Sequence, residues 1–267
     1  DSIFLINENI IGLRQSKSIS IYNMVDRLSI LDNPTKILHL VQLSPGSDLI
    51  VSSDEKNILS VWSIKTMTCL INTVAHSFGK ITQLISYSND IVVSAGQDRT
   101  IKFWLTGLNP KKVIKIISPT IKAIERCGKS LVISGNRLDV FDKNGDRNIS
   151  RESFDLIRNM GNDLIACVLN RNIKVIKLST SCTIFDKTLN AKIYSIYVIK
   201  KKSIMLVTLE NHRISLLNIK SNMMTKVIEI DAMMKIVERI DNFNFYYQSH
   251  WEIGAFNILN RTKIDRI

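Results

Sequence analysis

Apolar residues recur along this chain in short bursts of about five to seven, rich in Ile, Val, Leu and Thr, the grammar of β-strands. Asn, Asp, Ser, Gly or Lys bounds each burst. The clearest set lies in residues 75–105, where ITQLISY (81–87), DIVVSAG (90–96) and TIKFWL (100–105) predict three successive strands. The segment before it repeats the arrangement with ILHLVQLS (37–44), DLIVSSD (48–54) and ILSVWSI (58–64). No segment holds a helical stripe over three turns. DAMMKIVERI (231–240) comes nearest, and it reads equally well as a loop entering a strand.

The bursts form a repeat. Ser52 and Trp62 stand ten residues apart, as do Ser94 and Trp104, and ACVLNRNIKVIK (166–177) aligns with SAGQDRTIKFWL (94–105) without a gap. Weaker copies are NIIGLRQSKSISIYNM (9–24), SLVISGNRLDVFD (130–142), SIMLVTLENHRISLLNI (203–219) and FNFYYQSHWEIGAFNI (243–258). Unit starts fall near Ser2, Lys36, Lys80, Thr120, Phe154, Lys192 and Lys235. That is seven units of about 38 residues, just below the 40–45 of a four-stranded propeller blade. A lone four-stranded sheet cannot bury both faces, whereas radial stacking of several can. The expectation is all-β: a seven-bladed β-propeller of four-stranded antiparallel blades spanning residues 1–267 as one domain. A blade number of six, or a partial seventh, stays open.

GQDRTIKFW (96–104), with His76 upstream, resembles a WD-repeat. In that family a loop histidine, a second-strand serine, a turn aspartate and a third-strand tryptophan share a buried hydrogen-bond network. The resemblance places these roles on His76, Ser94, Asp98 and Trp104. Other units depart from it. The 36–74 unit keeps Ser52 and Trp62 but has Lys56 at the aspartate position and no matching histidine. The fifth has Asn170 and Ile176 at the aspartate and tryptophan positions, and the fourth ends Val-Phe-Asp with Phe141 and Asp142.

Composition narrows the function. With 45% hydrophobic and 22% charged residues the 267-residue chain is no disordered segment, and no stretch approaches eighteen uninterrupted apolar residues. The chain opens DSIFLINENI, without methionine or a secretory leader, so a larger parent protein or a processed chain is expected. Cys69, Cys127, Cys167 and Cys182 lie far apart, and His39, His76, His212 and His250 show no ligand spacing. Neither zinc nor a disulfide framework is indicated, and no cofactor is expected. A reducing, intracellular setting, cytoplasmic or nuclear, follows as the expectation. His76, Ser94 and Asp98 imitate a hydrolase triad, but the serine stands within a strand and no GxSxG is present, so no catalysis is expected.

Thirty-six basic against 24 acidic residues give a formal charge of +12, which favours acidic partners. Lys36, Lys80, Lys192 and Lys235 each precede the first strand of a unit, a position that in a propeller lies on one rim of the central channel. The WD-repeat resemblance implies peptide binding on that face, so the four lysines, with Phe78 and Gln97, are the candidate site for an acidic or phosphorylated segment. The bland reading is a solvated rim. DKNGDRNISRES (142–153) alternates oxygen-bearing side chains like a calcium loop, but Arg147 and Ser153 stand where Gly and Glu are needed, and Asn-Gly favours a hairpin turn. Lys111, Lys112 and Lys200–Lys202 read as turns of the opposite face, open to RNA phosphate or anionic lipid. Phe243, Phe245, Tyr246, Tyr247 and Trp251 read as core of the last unit or as a docking patch. The functional expectation is a non-catalytic protein-interaction scaffold in a multiprotein complex. The alternative is a ribonucleoprotein or ribosome-biogenesis component whose basic surface meets RNA backbone.

Overall fold

The computed structural model describes residues 2–264 apart from 8–9, 24–26, 45, 108–109, 116–119, 143–144, 200–202, 211–212, 230–235, 240–243, 249–252, 258–259 and 261. Among these residues there is no helix, and 28 strands form seven four-stranded antiparallel sheets, each joined in chain order. The first sheet is β1 (Ser2–Asn7), β2 (Ile10–Arg14), β3 (Ser18–Asn23) and β4 (Arg27–Asp32). The second is β5 (Ile37–Gln42), β6 (Leu49–Asp54), β7 (Ile58–Ser63) and β8 (Thr68–Val74). The third is β9 (Ile81–Ser88), β10 (Ile91–Gly96), β11 (Thr100–Leu105) and β12 (Pro110–Lys115). The fourth is β13 (Ala123–Cys127), β14 (Ser130–Ser134), β15 (Leu138–Asp142) and β16 (Gly145–Ser150). The fifth is β17 (Leu156–Gly161), β18 (Leu164–Leu169), β19 (Asn172–Lys177) and β20 (Cys182–Thr188). The sixth is β21 (Ile193–Ile199), β22 (Ile204–Leu209), β23 (Arg213–Asn218) and β24 (Met223–Glu229). The seventh is β25 (Ile236–Arg239), β26 (Asn244–Gln248), β27 (Ile253–Asn257) and β28 (Thr262–Ile264).

The chain packs as two compact units, Asp1–Ile124 and Glu125–Ile267. In the first, sheet faces meet through two apolar clusters. Ile19, Ile21 and Leu31 pack with Ile37, Ile50 and Trp62, joining the first sheet to the second. Leu59, Val61 and Ala75 pack with Ile81, Val92 and Trp104, joining the second to the third. Each tryptophan is thus the bulky knob that binds its own blade to the preceding one. In the second unit Ala166, Val175 and Met205 share a cluster between the fifth and sixth sheets. Phe245 and Phe256, stacked with centroids 5.7 Å apart, pack on Leu206 and Ile214 between the sixth and seventh. The last sheet's described phenylalanines are therefore core, while Phe243 and Trp251 lie outside the described residues and the side chains of Tyr246 and Tyr247 are not described.

First strands of successive sheets touch, β5 with β9 in the first unit and β17 with β21 and β21 with β25 in the second. Side chains also stitch neighbouring blades together through backbone carbonyls. The Arg14 guanidinium donates to the Leu38 carbonyl, His39 Nε2 lies 3.1 Å from the Ile81 carbonyl, and Gln83 Nε2 donates to that of Lys122 at 3.1 Å. Burial pushes the His39 pKa down, the bond to Ile81 opposes this, and nearby Arg14 adds to the lowering, so His39 donates as a neutral ring. In the second unit Asn159 Nδ2 donates to the Arg126 carbonyl at 2.9 Å, and its N–H to Glu125 Oε1 at 3.2 Å.

Two local expectations resolve here. β15 and β16 pair as a hairpin with Asp142 opposite Gly145, as the turn reading of this segment expects. Lys111 and Lys112 sit in outer strand β12 and not in a turn: Pro110 opens that strand opposite Trp104, the register shifts at Lys111, and Lys112 pairs with Phe103. Lys200–Lys202 lie outside the described residues.

Candidate functional site

The third sheet holds His76, Ser94, Asp98 and Trp104 in one chain of hydrogen bonds. Trp104 Nε1 donates to Ser94 Oγ at 2.8 Å, Ser94 Oγ is 2.8 Å from His76 Nε2, and His76 Nδ1 is 2.8 Å from Asp98 Oδ1. Charge fixes the direction. Burial pushes the His76 pKa below its usual 6.5 despite the Asp98 carboxylate, so the ring is neutral. Its one N–H is on Nδ1, donated to Asp98, which leaves Nε2 to accept the Ser94 hydroxyl proton.

Burial alone would raise the Asp98 pKa, but donors overwhelm it and hold it at about 2. The hydroxyl of Thr100 (2.7 Å) and its N–H (3.1 Å) join His76 on Oδ1. The N–H (3.1 Å) and hydroxyl (3.2 Å) of Ser77 occupy Oδ2. Thr100 and Ser77 were not singled out in the sequence; a hydroxyl two residues past the aspartate and another just after the histidine are the signal. Gly96 completes the arrangement. A Cβ there would lie 2.3 Å from His76 Nδ1, so the ring rests directly on glycine backbone.

This is the proton order of a hydrolase triad, yet it cannot perform that chemistry. Ser94 is 0% exposed and its oxygen already accepts the indole N–H, so no carbonyl can approach it. The network fastens a loop to a sheet.

In the second sheet Trp62 Nε1 donates to Ser52 Oγ at the same 2.8 Å. The remainder is rebuilt. The carboxylate comes from Asp54, which corresponds to Gly96, two residues before the expected position. Its Oδ1 accepts the N–H groups of Lys56 (3.0 Å) and Ile58 (2.9 Å), and its Oδ2 the hydroxyl of Thr35. Asn33 Nδ2 in turn donates to the Thr35 carbonyl at 2.7 Å. All three side chains are buried. The fifth sheet dispenses with polarity: Ala166, Val168 and Ile176 are buried, and Asn170 is exposed. In the fourth, Ser134 Oγ accepts the Phe154 N–H and donates to the Phe154 carbonyl, both at 2.8 Å.

Three of the four lysines have a common structural address. The carbonyl of Lys36 accepts the N–H of Glu55 (2.9 Å), that of Lys80 the N–H of Gln97 (3.0 Å), and that of Lys192 the N–H of Glu210 (2.8 Å). All three side chains are exposed, and Lys192 Nζ stands 6.0 Å over the Tyr194 ring. Lys235 lies outside the described residues. Lys36 and Lys192 thus sit beside a glutamate, whereas Lys80 sits beside Gln97, whose Oε1 accepts the Lys80 N–H at 2.9 Å. Phe78, 64% exposed, belongs to the same loop, and exposed Arg99 to the facing turn.

Solved structures share this arrangement of blades. A chain of the mitotic checkpoint complex superimposes with a TM-score of 0.79 at 11% identity, over 94% of this chain and 88% of that one. The WD40 repeats of RRP9 give 0.78 at 10% identity, over 92% and 86%. U3-55K gives 0.78 at 10% identity, over 92% and 87%. The chain has the WD-repeat β-propeller fold. No protein-family model matches the sequence, and no curated protein matches it either. At this identity only the geometry of the propeller is shared, which agrees with a chain whose blades keep the Ser–Trp spacing in two places and replace it elsewhere.

Proposed function

We propose that this propeller is a non-catalytic protein-binding platform whose Lys36, Lys80, Lys192 and Lys235 attract an acidic or phosphorylated segment of a partner. The observation that carries the reading is the repeated address of the lysines: each described one is exposed at the residue before a blade's first strand. In a propeller equivalent blade positions share one face, and Lys36 and Lys80 hold equivalent positions within the first unit. Blade three is the strongest point, because Gln97 replaces the acidic neighbour and Phe78 offers an apolar contact. Lysines then supply long-range attraction, and Phe78 with Gln97 the selectivity. That a chain of similar fold belongs to the mitotic checkpoint complex supports a scaffold role.

The +12 charge supports a second reading, contact with RNA backbone, which predicts affinity falling steeply with salt and without sequence preference. A crosslinking pull-down with the intact chain and the variant carrying Ser at all four lysines, with and without RNase, separates the two. The platform predicts RNase-resistant partners lost in the variant, at nearly unchanged thermal stability. Partners that vanish with RNase would replace it by the RNA reading, and unchanged capture by the variant would remove the lysine site.

A further inference from the structure

A different surface of the first unit carries an inference beyond that platform. An outer blade strand has one unpaired backbone edge, and proteins blunt such edges with charge or proline. By sequence, six of the seven outer strands contain a charged residue, such as Arg27, Lys112, Arg147, Asp186, Lys226 and Lys263. β8, TCLINTV, has no charged residue and no proline, and among the described residues no strand pairs beyond it. Its Leu70, Ile71 and Val74 are 54%, 40% and 68% exposed. A bulge at Leu70, between the Val61–Ile71 and Trp62–Cys69 pairs, leaves 71–74 as the regular stretch.

Beside this strand runs a groove of about 380 Å³ between β4 and β8. Its walls include Ile30 and Met67, with Cys69 and Asn72 from β8; among the described residues its charged lining groups are the carboxylates of Asp32 and Asp54, and no Lys or Arg lines it. On a chain of net charge +12, this is a local acidic seat next to an open ladder.

We infer that β8 is a strand-addition site for an extended segment of another protein, apolar along its length and carrying one Lys or Arg on the side that faces Asp32. A second copy of this chain is the poorer occupant. Another β8 brings no cation to the groove, and two molecules of charge +12 repel. The short ladder suits a transient partner, held by main-chain hydrogen bonds and sorted by the groove.

Hydrogen exchange on the whole chain tests this with a synthetic decapeptide of alternating Val and Thr with a central Lys. Its two controls carry Glu in place of Lys, or N-methyl groups along one backbone edge. The Lys peptide should slow exchange in residues 68–74 by about tenfold, the Glu peptide less, and the N-methylated peptide not at all. Asn72→Lys should abolish the protection, and Asp32→Asn should remove the preference for Lys over Glu; both residues are exposed, so the fold survives. No slowing with any peptide, or equal slowing by the Lys and Glu peptides, overturns the inference. Protection that grows with protein concentration without peptide overturns it in favour of self-pairing. None of these outcomes depends on the four rim lysines.

Discussion

The second and third blades solve one problem with different residues. Both bury a tryptophan against the preceding blade and tie its N–H to a strand serine at 2.8 Å. Both collect turn N–H groups on a buried carboxylate and fasten the incoming loop to it. In the third blade the carboxylate is Asp98 and the loop donor is His76, seated over Gly96. In the second, Asp54 occupies the place of Gly96, and Thr35 reaches it from the loop. The volume of an imidazole ring on glycine is exchanged for a carboxylate and a hydroxyl. What the blade requires is a satisfied buried acceptor, not a particular set of four side chains.

The comparison breaks most visibly at Gly96. Gly96→Ala drives a methyl into the His76 ring, with no room to yield, and should cost about 3 kcal/mol in chemical denaturation. Next come the carboxylates: Asp98→Ala and Asp54→Ala should each cost about 1–3 kcal/mol, because each orphans buried donors. A near-neutral Asp54→Ala would show that the second blade has no equivalent network.

A smaller effect sharpens the contrast. Trp62→Phe should destabilise more than Trp104→Phe, by up to about 1 kcal/mol. Ser94 still donates to His76 when its indole is gone, whereas Ser52 is left with no partner. Equal losses would mean that the two serines are not differently placed.

The smallest effect near neutrality is that of pH. His76 is held below 6.5, so as pH falls through that value the unfolded chain takes up a proton that the folded ring refuses, and stability declines. Below about 3.8 the unfolded aspartate adds a second loss, continuing toward about 2, where Asp98 itself protonates. Protection factors in residues 75–105 should therefore fall between pH 7 and 5, and His39 of β5, also held below 6.5 by burial, should make those in 49–63 fall as well.

The sequence was legible wherever one residue type had one possible use. Strands announced themselves by short apolar bursts, and the ten-residue Ser–Trp spacing located two blades and, through His76, a complete network. Asp54 escaped because the repeat was read at fixed positions, which pointed to Lys56; the carboxylate had moved two residues and kept its task. The stitches from Arg14, His39 and Gln83 end on backbone carbonyls, which carry no residue identity and leave no pattern. Lys111 and Lys112, read as a turn, stand in an outer strand that opens with Pro110, a residue at home on an edge strand. Lysines before the first strands were legible as a repeated position, but the glutamates beside Lys36 and Lys192 became neighbours only through the ladder.

Native-state hydrogen exchange on Asp54→Asn and Asp98→Asn, side by side with the unaltered chain, tests the equivalence of the two networks most directly. The account predicts that each substitution lowers protection chiefly in its own blade, residues 49–63 for the first and 91–105 for the second, by similar amounts. Loss in the third blade with no change in the second on Asp54→Asn would contradict it, and would leave the network of His76, Ser94, Asp98 and Trp104 without a counterpart in the second blade.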